Sequence, residues 1–304
     1  MRTLRIFLMF FFLFTFLIVL QAANRSGASP SFFAAWQLPK VWIAALLAVI
    51  GTIILMAKKL STPVRIGMMV LAFFAFGVVS VLPLGDFARG MGLHPSPMCV
   101  IEKPFLFVNA GRSIPIIFFS IFAFVGVLTV ASNKSFCGWT CPIGAVQEVF
   151  YKIPILKKRK TIIPFRVTNS IRVGLFVAFV LLVFALSFSL YEYLNAFHML
   201  HWTWSWEWLL PIGIALIGGL FVYRPFCYLI CPLGLFTWVL EQVSIIRVKL
   251  NPQACTDCKI CVKKSPCPAV PAILEKKRIR PDCHACGECI KSCPENALSF
   301  KVRG

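Results

Sequence analysis

The chain has 304 residues, of which 59% are apolar and only 14% charged, with 30 Phe among them. Water-soluble domains of this length rarely carry so little charge, so an ordinary soluble enzyme is excluded and an integral membrane protein is indicated. The formal charge of +20 does not call for nucleic acid, because basic segments held against anionic lipid headgroups account for it.

Apolar runs long enough to cross a bilayer, about 17 to 25 residues, occur at Arg5 to Ala23, Val41 to Ala57, Val64 to Leu82, Ile114 to Ala131, Ile171 to Leu190 and Leu209 to Tyr223. Six spans are predicted. In the first, Arg2 and Arg5 precede an apolar stretch and the small residues Ala22 and Ala23 follow it. Residues 1–23 therefore read as a membrane anchor or a secretory signal, with the uncleaved anchor preferred. Residues 24–249 form the membrane domain.

Basic residues in short loops stay on the cytoplasmic side. With the N-terminus inside, only Arg25, Lys40, Arg89, Lys103 and Arg112 fall outside, which leaves 26 of the 31 basic residues on one face. The protein is thus expected in the inner membrane, with everything after Arg224 in the cytoplasm.

Two outer loops carry chemistry-bearing residues. "GLHPSPMCVIEKPF" from Gly92 holds Cys99, with His94 and Met98 nearby. An odd thiol in an oxidising compartment is either buried in its loop or available to a metal, cofactor or partner. "YEYLNAFHMLHWTWSWEW" from Tyr191 has no Lys or Arg but contains Glu192, His198, His201 and Glu207. Its tryptophans suit an aromatic belt. His198 and His201 are candidate quinol contacts that would take up protons, with haem ligation as a further reading. Asp86, Arg89 and Arg112 read as charges that anchor helix ends.

Two stretches, "FCGWTCPIG" from Phe136 and "FCYLICPLG" from Phe226, share the pattern Phe-Cys-x-x-x-Cys-Pro-x-Gly. Each follows an apolar span on the cytoplasmic side, as a duplicated span-plus-motif unit would. Pro142 and Pro232 suit the first turn of a helix, which puts Cys141 and Cys231 at helix N-termini, where a thiolate is favoured. The short helices that follow are expected in the membrane interface. Cys137, Cys141, Cys227 and Cys231 offer four thiolates, the number a [4Fe-4S] cluster needs. Packing cysteines in tight turns, a redox-active thiol pair, docking surfaces for the C-terminal domain and a structural zinc site remain open alternatives.

Beyond about Leu250 the long apolar runs end, and eight of the 13 cysteines crowd into residues 250–304. Cys283, Cys286, Cys289 and Cys293 before Pro294 have the bacterial ferredoxin spacing; Cys255, Cys258, Cys261 and Cys267 before Pro268 repeat it with a longer last gap. In that run the fourth cysteine serves the other cluster. One [4Fe-4S] cluster is assigned to Cys255, Cys258, Cys261 and Cys293, and the second to Cys283, Cys286, Cys289 and Cys267. Disulfides are disfavoured in a reducing cytoplasm, and zinc is the remaining alternative. Short strands are expected from Ala297 and from Ala272. The predicted fold is an α-helical polytopic membrane protein with a C-terminal α+β ferredoxin domain holding two clusters.

Two Cys-x-x-x-Cys-Pro motifs after membrane spans, then a double ferredoxin motif, resemble the membrane polyferredoxin family. Its members include the membrane ferredoxin of periplasmic nitrate reduction, the C-terminal half of the nitrous-oxide-respiration regulator and the methylamine-utilisation ferredoxins. The resemblance covers roughly residues 110–304 and rests on twelve cysteines. It implies electron transfer between the quinone pool or a cytoplasmic donor and a redox partner, such as an extracytoplasmic reductase or cytochrome, without a substrate site of its own. A redox accessory factor for the maturation or regulation of a respiratory metalloenzyme is the alternative. Two extra N-terminal spans and the longer ferredoxin gap depart from the simplest family pattern.

Overall fold

Helix α1 (Pro39–Met56) begins on a proline, whose missing N–H would have no partner in a first turn. One stripe of it, Val41, Ala44, Ala48, Gly51 and Leu55, faces inward; the opposite stripe, Trp42, Leu46, Val49, Ile53 and Met56, is exposed. Both stripes are apolar, so the outward one requires a hydrocarbon surround, while small inward residues let neighbouring backbones approach. The computed structural model describes residues 32–92, 95–154, 160–201 and 205–303.

Helix α2 (Thr62–Phe73) is capped by Ser61, whose hydroxyl accepts from the Val64 N–H. It continues through a π-helical turn, Phe74–Val78, so that Thr62–Val81 forms one apolar rod. Helix α3 (Cys99–Asn109) packs on α4 (Ile116–Ser132). After α5 (Pro142–Lys152) come α6 (Phe165–Leu186), α7 (Leu209–Phe221) and α8 (Pro232–Glu241).

Among the described residues three helices, Pro39–Met56, Thr62–Val81 and Phe165–Leu186, are long and apolar enough to cross a membrane; Ile116–Ser132 and Trp206–Phe221 are shorter apolar helices. The run predicted at Arg5 to Ala23 lies outside the described residues. The other five predicted runs are helical, with ends shifted by a few residues.

Helices α5 and α8 begin at Pro142 and Pro232 as the sequence suggests. Helix α5 is wedged between α2 and α7, with Ile143, Ala145, Gln147 and Glu148 all buried. Gly219 of α7 faces this helix, the Gln147 carbonyl oxygen lying 3.4 Å from where its Cβ would stand.

The C-terminal region carries one antiparallel pair, β1 (Ile246–Leu250) with β2 (Leu298–Val302), Val248 facing Phe300. The strand expected from Ala297 is present. The one expected from Ala272 is not: Val270–Leu274 is a short helix with Pro271 in its first turn, closed by Lys276 in a left-handed conformation. Prolines at 271 and 281 could not donate to a ladder, so the pairing falls to the proline-free run at Ile246.

Candidate functional site

The two Phe-Cys-x-x-x-Cys-Pro segments fold alike. Phe136–Thr140 forms a tight π-helical turn and Pro225–Leu229 a short helix. In both, the second cysteine is extended (φ −64°, ψ 117° at Cys141; φ −60°, ψ 113° at Cys231), and its N–H donates back to the motif phenylalanine at 2.9 and 3.0 Å. The extended cysteine turns the chain into the following proline, which starts the next helix.

This geometry brings Cys137, Cys141, Cys227 and Cys231 together: Cys141 lies within electrostatic range of the other three, and Cys231 of Cys227 and Cys137. The helix N-termini do not lower these thiols as expected. Burial pushes Cys137 up to about 11 and Cys231 to about 12, and neighbouring sulfurs add to it; Lys134 and Arg224 offset only part at Cys137, and the Gly234 N–H only part at Cys231. Four anionic sulfurs can share so dry a space only around cations that compensate them. The surrounding donors suit anionic sulfur too, since Gln147 Nε2 points at Cys227 Sγ at 3.4 Å.

Buried cations hold each motif from the other side. Arg224 Nη1 donates to the Cys137 carbonyl at 2.6 Å, Lys134 Nζ to the Gly234 carbonyl at 3.1 Å, and Arg172 Nη1 to the Cys227 carbonyl at 3.3 Å. Lys134 and Arg224 each stand three residues before a motif's first cysteine, and both adopt left-handed φ (57° and 49°). The motif glycines make room for the guanidinium groups. A Cβ at Gly144 would lie 2.9 Å from Arg224 Nη1, and one at Gly234 3.0 Å from Arg172 Nη1.

Buried carboxylates balance these cations: Glu148, Asp282, and Glu241, whose Oε2 lies 3.5 Å from Lys134 Nζ. Glu148 is bound by Arg65 Nε and Arg224 Nη2, both at 2.7 Å, and by the Tyr223 hydroxyl at 2.9 Å. Burial alone would raise its pKa, but the two guanidinium groups hold it well below the usual carboxylate range. Asp282 receives Lys134 and Arg172. Arg65 also lies over the Trp139 ring, 4.1 Å from its centroid.

Asp282 belongs to the second ferredoxin loop, and that whole loop is seated on the first motif. Trp139 Nε1 donates to the Ala285 carbonyl and Asn133 Nδ2 to the Cys283 carbonyl, each at 2.9 Å. Gly138 meets the loop so closely that a Cβ there would fall 2.0 Å from the His284 carbonyl oxygen. Tyr228 packs against the His284 ring at 5.0 Å.

In the C-terminal region Cys255, Cys258, Cys261 and Cys293 line one hollow together with Leu250 and Leu298. Cys267 lies instead among Cys283, Cys286 and Cys289. The two groups adjoin, since Cys289 is within electrostatic range of Cys261. The exposed end is the first hollow, where Cys258 is open to solvent; Cys267, Cys283, Cys286 and Cys289 are buried. No three His, Cys, Asp or Glu among the described residues gather around the position of a single metal ion. Thiolates around one zinc would stand about 3.8 Å apart, given bonds of about 2.3 Å. The wider groupings fit sulfurs bonded to different irons of one cluster.

Of the remaining candidates, Cys99 is buried at the start of α3, its N–H donating to Ser96 Oγ. His198 stacks on Trp208 at 4.3 Å and lies 3.8 Å from Glu192 Oε1. His201 ends the same short 3₁₀ segment, Ala196–His201.

Sequence reasoning did not single out Arg65, Lys134, Glu148, Arg172, Arg224 or Asp282. Two signals were present: basic residues at equal offsets before both motifs, and arginines inside apolar helical runs, where a charge is retained only with a partner.

The model of a 4Fe-4S binding domain matches the chain twice, at residues 114–163 and 204–252, each match containing one cysteine motif. An uncharacterized protein of Methanocaldococcus jannaschii is 30% identical over 220 residues, 66% of this chain and 84% of the relative. The putative electron transport protein YccM of Escherichia coli is 26% identical over 195 residues, 58% of this chain and 54% of the relative. The ferredoxin-type protein NapH of Haemophilus influenzae is 28% identical over 193 residues, 57% of this chain and 64% of the relative. No solved structure matches the chain.

Proposed function

Since the chain belongs to the membrane polyferredoxin family, we propose that it is an iron-sulfur electron-transfer protein with three [4Fe-4S] centres in series. The series runs from the Cys255, Cys258, Cys261, Cys293 hollow, through the Cys283, Cys286, Cys289, Cys267 group, to a membrane-face centre on Cys137, Cys141, Cys227 and Cys231. Bound there, the clusters would pass electrons one at a time. The chain's own residues do the rest: they fix the spacing between centres, exclude water and set the charge around the sulfurs.

The observation that carries this reading is the seating of the Asp282–Cys286 loop directly on the paired motifs. Trp139 and Asn133 hold the loop by its backbone, and Gly138 removes the side chain that would have separated it. Arg65 and Arg224 outnumber Glu148 on one side of the motifs, while on the other Lys134 and Arg172 face Asp282 and Glu241. This surplus of buried positive charge favours the reduced, more negative centre. The exposed Cys258 end faces a redox partner.

The same reading makes the protein multi-pass, with two related span-plus-motif units and the C-terminal domain on the cytoplasmic face. It links the quinone pool, or a cytoplasmic donor, to that partner. Iron and acid-labile sulfide analysis after anaerobic purification tests it. About twelve irons per chain should fall to about eight when Cys137, Cys141, Cys227 and Cys231 are all changed to Ser. An unchanged content of about eight overturns the membrane-face centre. Rapid reoxidation of reduced membranes by added quinone tests the link to the pool, and slow stoichiometric reoxidation favours the accessory role.

A further inference from the structure

Glu102, on the outer-side helix α3, is fully buried. Its Oε1 accepts from Ser189 Oγ at 2.5 Å, and its Oε2 has no hydrogen-bond partner among the described residues. Such a carboxyl pairs with no cation of its own and is costly to bury charged. Beside it Glu192 binds Lys103 Nζ at 2.8 Å, and these two side chains are 45% and 33% exposed, so the pair of carboxyls runs from the interior to the outer solution. His198 approaches Glu192 to 3.8 Å.

Tyr191, next to Glu192 in the chain, is also fully buried with an unpartnered hydroxyl. It lies within electrostatic range of Glu102 on one side and of Cys231 and Arg172 on the other. Tyr191 therefore stands between a sulfur of the membrane-face centre and the buried Glu102 carboxyl, within electrostatic range of both. The titratable and charged groups facing Glu102 are Cys99, Lys103, Tyr191 and Glu192.

We propose that Glu102 is a redox-linked proton acceptor for the membrane-face centre. When that centre gains one electron from a low-potential one-electron donor, one proton from the outer solution passes by way of Glu192. It forms an O–H bond on a Glu102 carboxylate oxygen, and it leaves when the electron does. No bond between heavy atoms forms or breaks, and the added negative charge is met by one proton. Burial pushes the Glu102 carboxyl up to about 7 and the neighbouring Glu192 adds to this, while Ser189 and Lys103 pull the other way. Its occupancy thus changes where a physiological redox step can drive it. The inference rests on Cys137, Cys141, Cys227 and Cys231 holding a cluster.

Potentiometric EPR titration of the detergent-solubilised holoprotein between pH 5.5 and 8.5 tests it, using dithionite as reductant. In the wild type the reduction equilibrium of the membrane-face signal should fall as pH rises, by up to about tenfold per pH unit at full one-proton coupling. Glu102→Gln should abolish that dependence while keeping the signal. Ser189→Ala removes only the hydroxyl that stabilises the carboxylate, and should move the onset of the dependence to higher pH. A wild-type potential independent of pH, or an unchanged slope in Glu102→Gln, overturns the proposal and leaves the cluster in place. Absence of the signal from the wild type overturns the cluster and this inference together.

Discussion

Replacing Gly138 by Ala tests whether the seating of the ferredoxin loop connects the centres. The new Cβ would fall 2.0 Å from the His284 carbonyl oxygen, a backbone atom, where real contacts are not found below 3.0 Å. The loop must therefore withdraw by at least 1.0 Å, the difference between those distances. That shift stretches the bonds from Trp139 to Ala285 and from Asn133 to Cys283, both now 2.9 Å, out of hydrogen-bonding range. Two net hydrogen bonds of about 1 kcal/mol each amount to about 2 kcal/mol, or about 30-fold in the docked population. Iron content should remain at the wild-type level, because no cysteine is touched, while electron transfer from the ferredoxin clusters to the membrane-face centre slows. Freeze-quench EPR after a dithionite pulse reads both. Gly174→Ala is the control, since nothing lies within 4 Å of a Cβ at that position. Transfer in Gly138→Ala as fast as in Gly174→Ala would refute the role of the docked loop.

Glu148→Gln leaves Arg65 and Arg224 without their buried carboxylate and should cost about 3–5 kcal/mol, read as a lowered thermal midpoint. Because the Glu148 carboxyl is held below its ordinary 4.5, its stabilisation is fully present above that pH and is lost only as pH falls through the depressed value. Glu102 has the opposite sign. Its raised pKa means that the folded state binds the proton more tightly, so thermal stability should fall as pH rises from 4.5 to about 7, and Glu102→Gln should flatten that decline. Cys267→Ser should perturb the EPR signal that depends on Cys283, Cys286 and Cys289, and Cys293→Ser the one that depends on Cys255, Cys258 and Cys261; the reverse pattern would refute the crossed ligation. Cys99→Ser should leave the iron content unchanged, since that thiol is buried at the start of α3 and belongs to neither paired motif nor ferredoxin run.

The sequence by itself determined the features that depend on local chemistry and period. Apolar length marked the helices that face lipid, because a hydrocarbon surround tolerates apolar residues on every side of a rod. Proline after the second cysteine marked the starts of α5 and α8, because a first-turn N–H has no helical partner to lose. The ferredoxin run, in which the fourth cysteine serves the other cluster, assigned Cys267 and Cys293 to opposite groups; in the structure Cys293 lines the hollow with Cys255, Cys258 and Cys261, and Cys267 lies among Cys283, Cys286 and Cys289.

What only the tertiary structure decided are the contacts between segments far apart in the chain. Pairing of Ile246–Leu250 with Leu298–Val302 could not be read locally, since the run from Ala272 looked as suitable until its prolines were placed. Nor could the burial of α5, whose amphipathic surface fits a membrane interface as well as a cleft between α2 and α7. Arg65, Arg172 and Arg224 read singly as cytoplasmic charge. Only the fold brings them to Glu148 and Asp282, because an ion pair across a hundred residues leaves no periodicity in either partner's sequence. Glu102 is hidden for the same reason: a carboxylate in a loop is unremarkable until helices close over it and leave one of its oxygens without a donor.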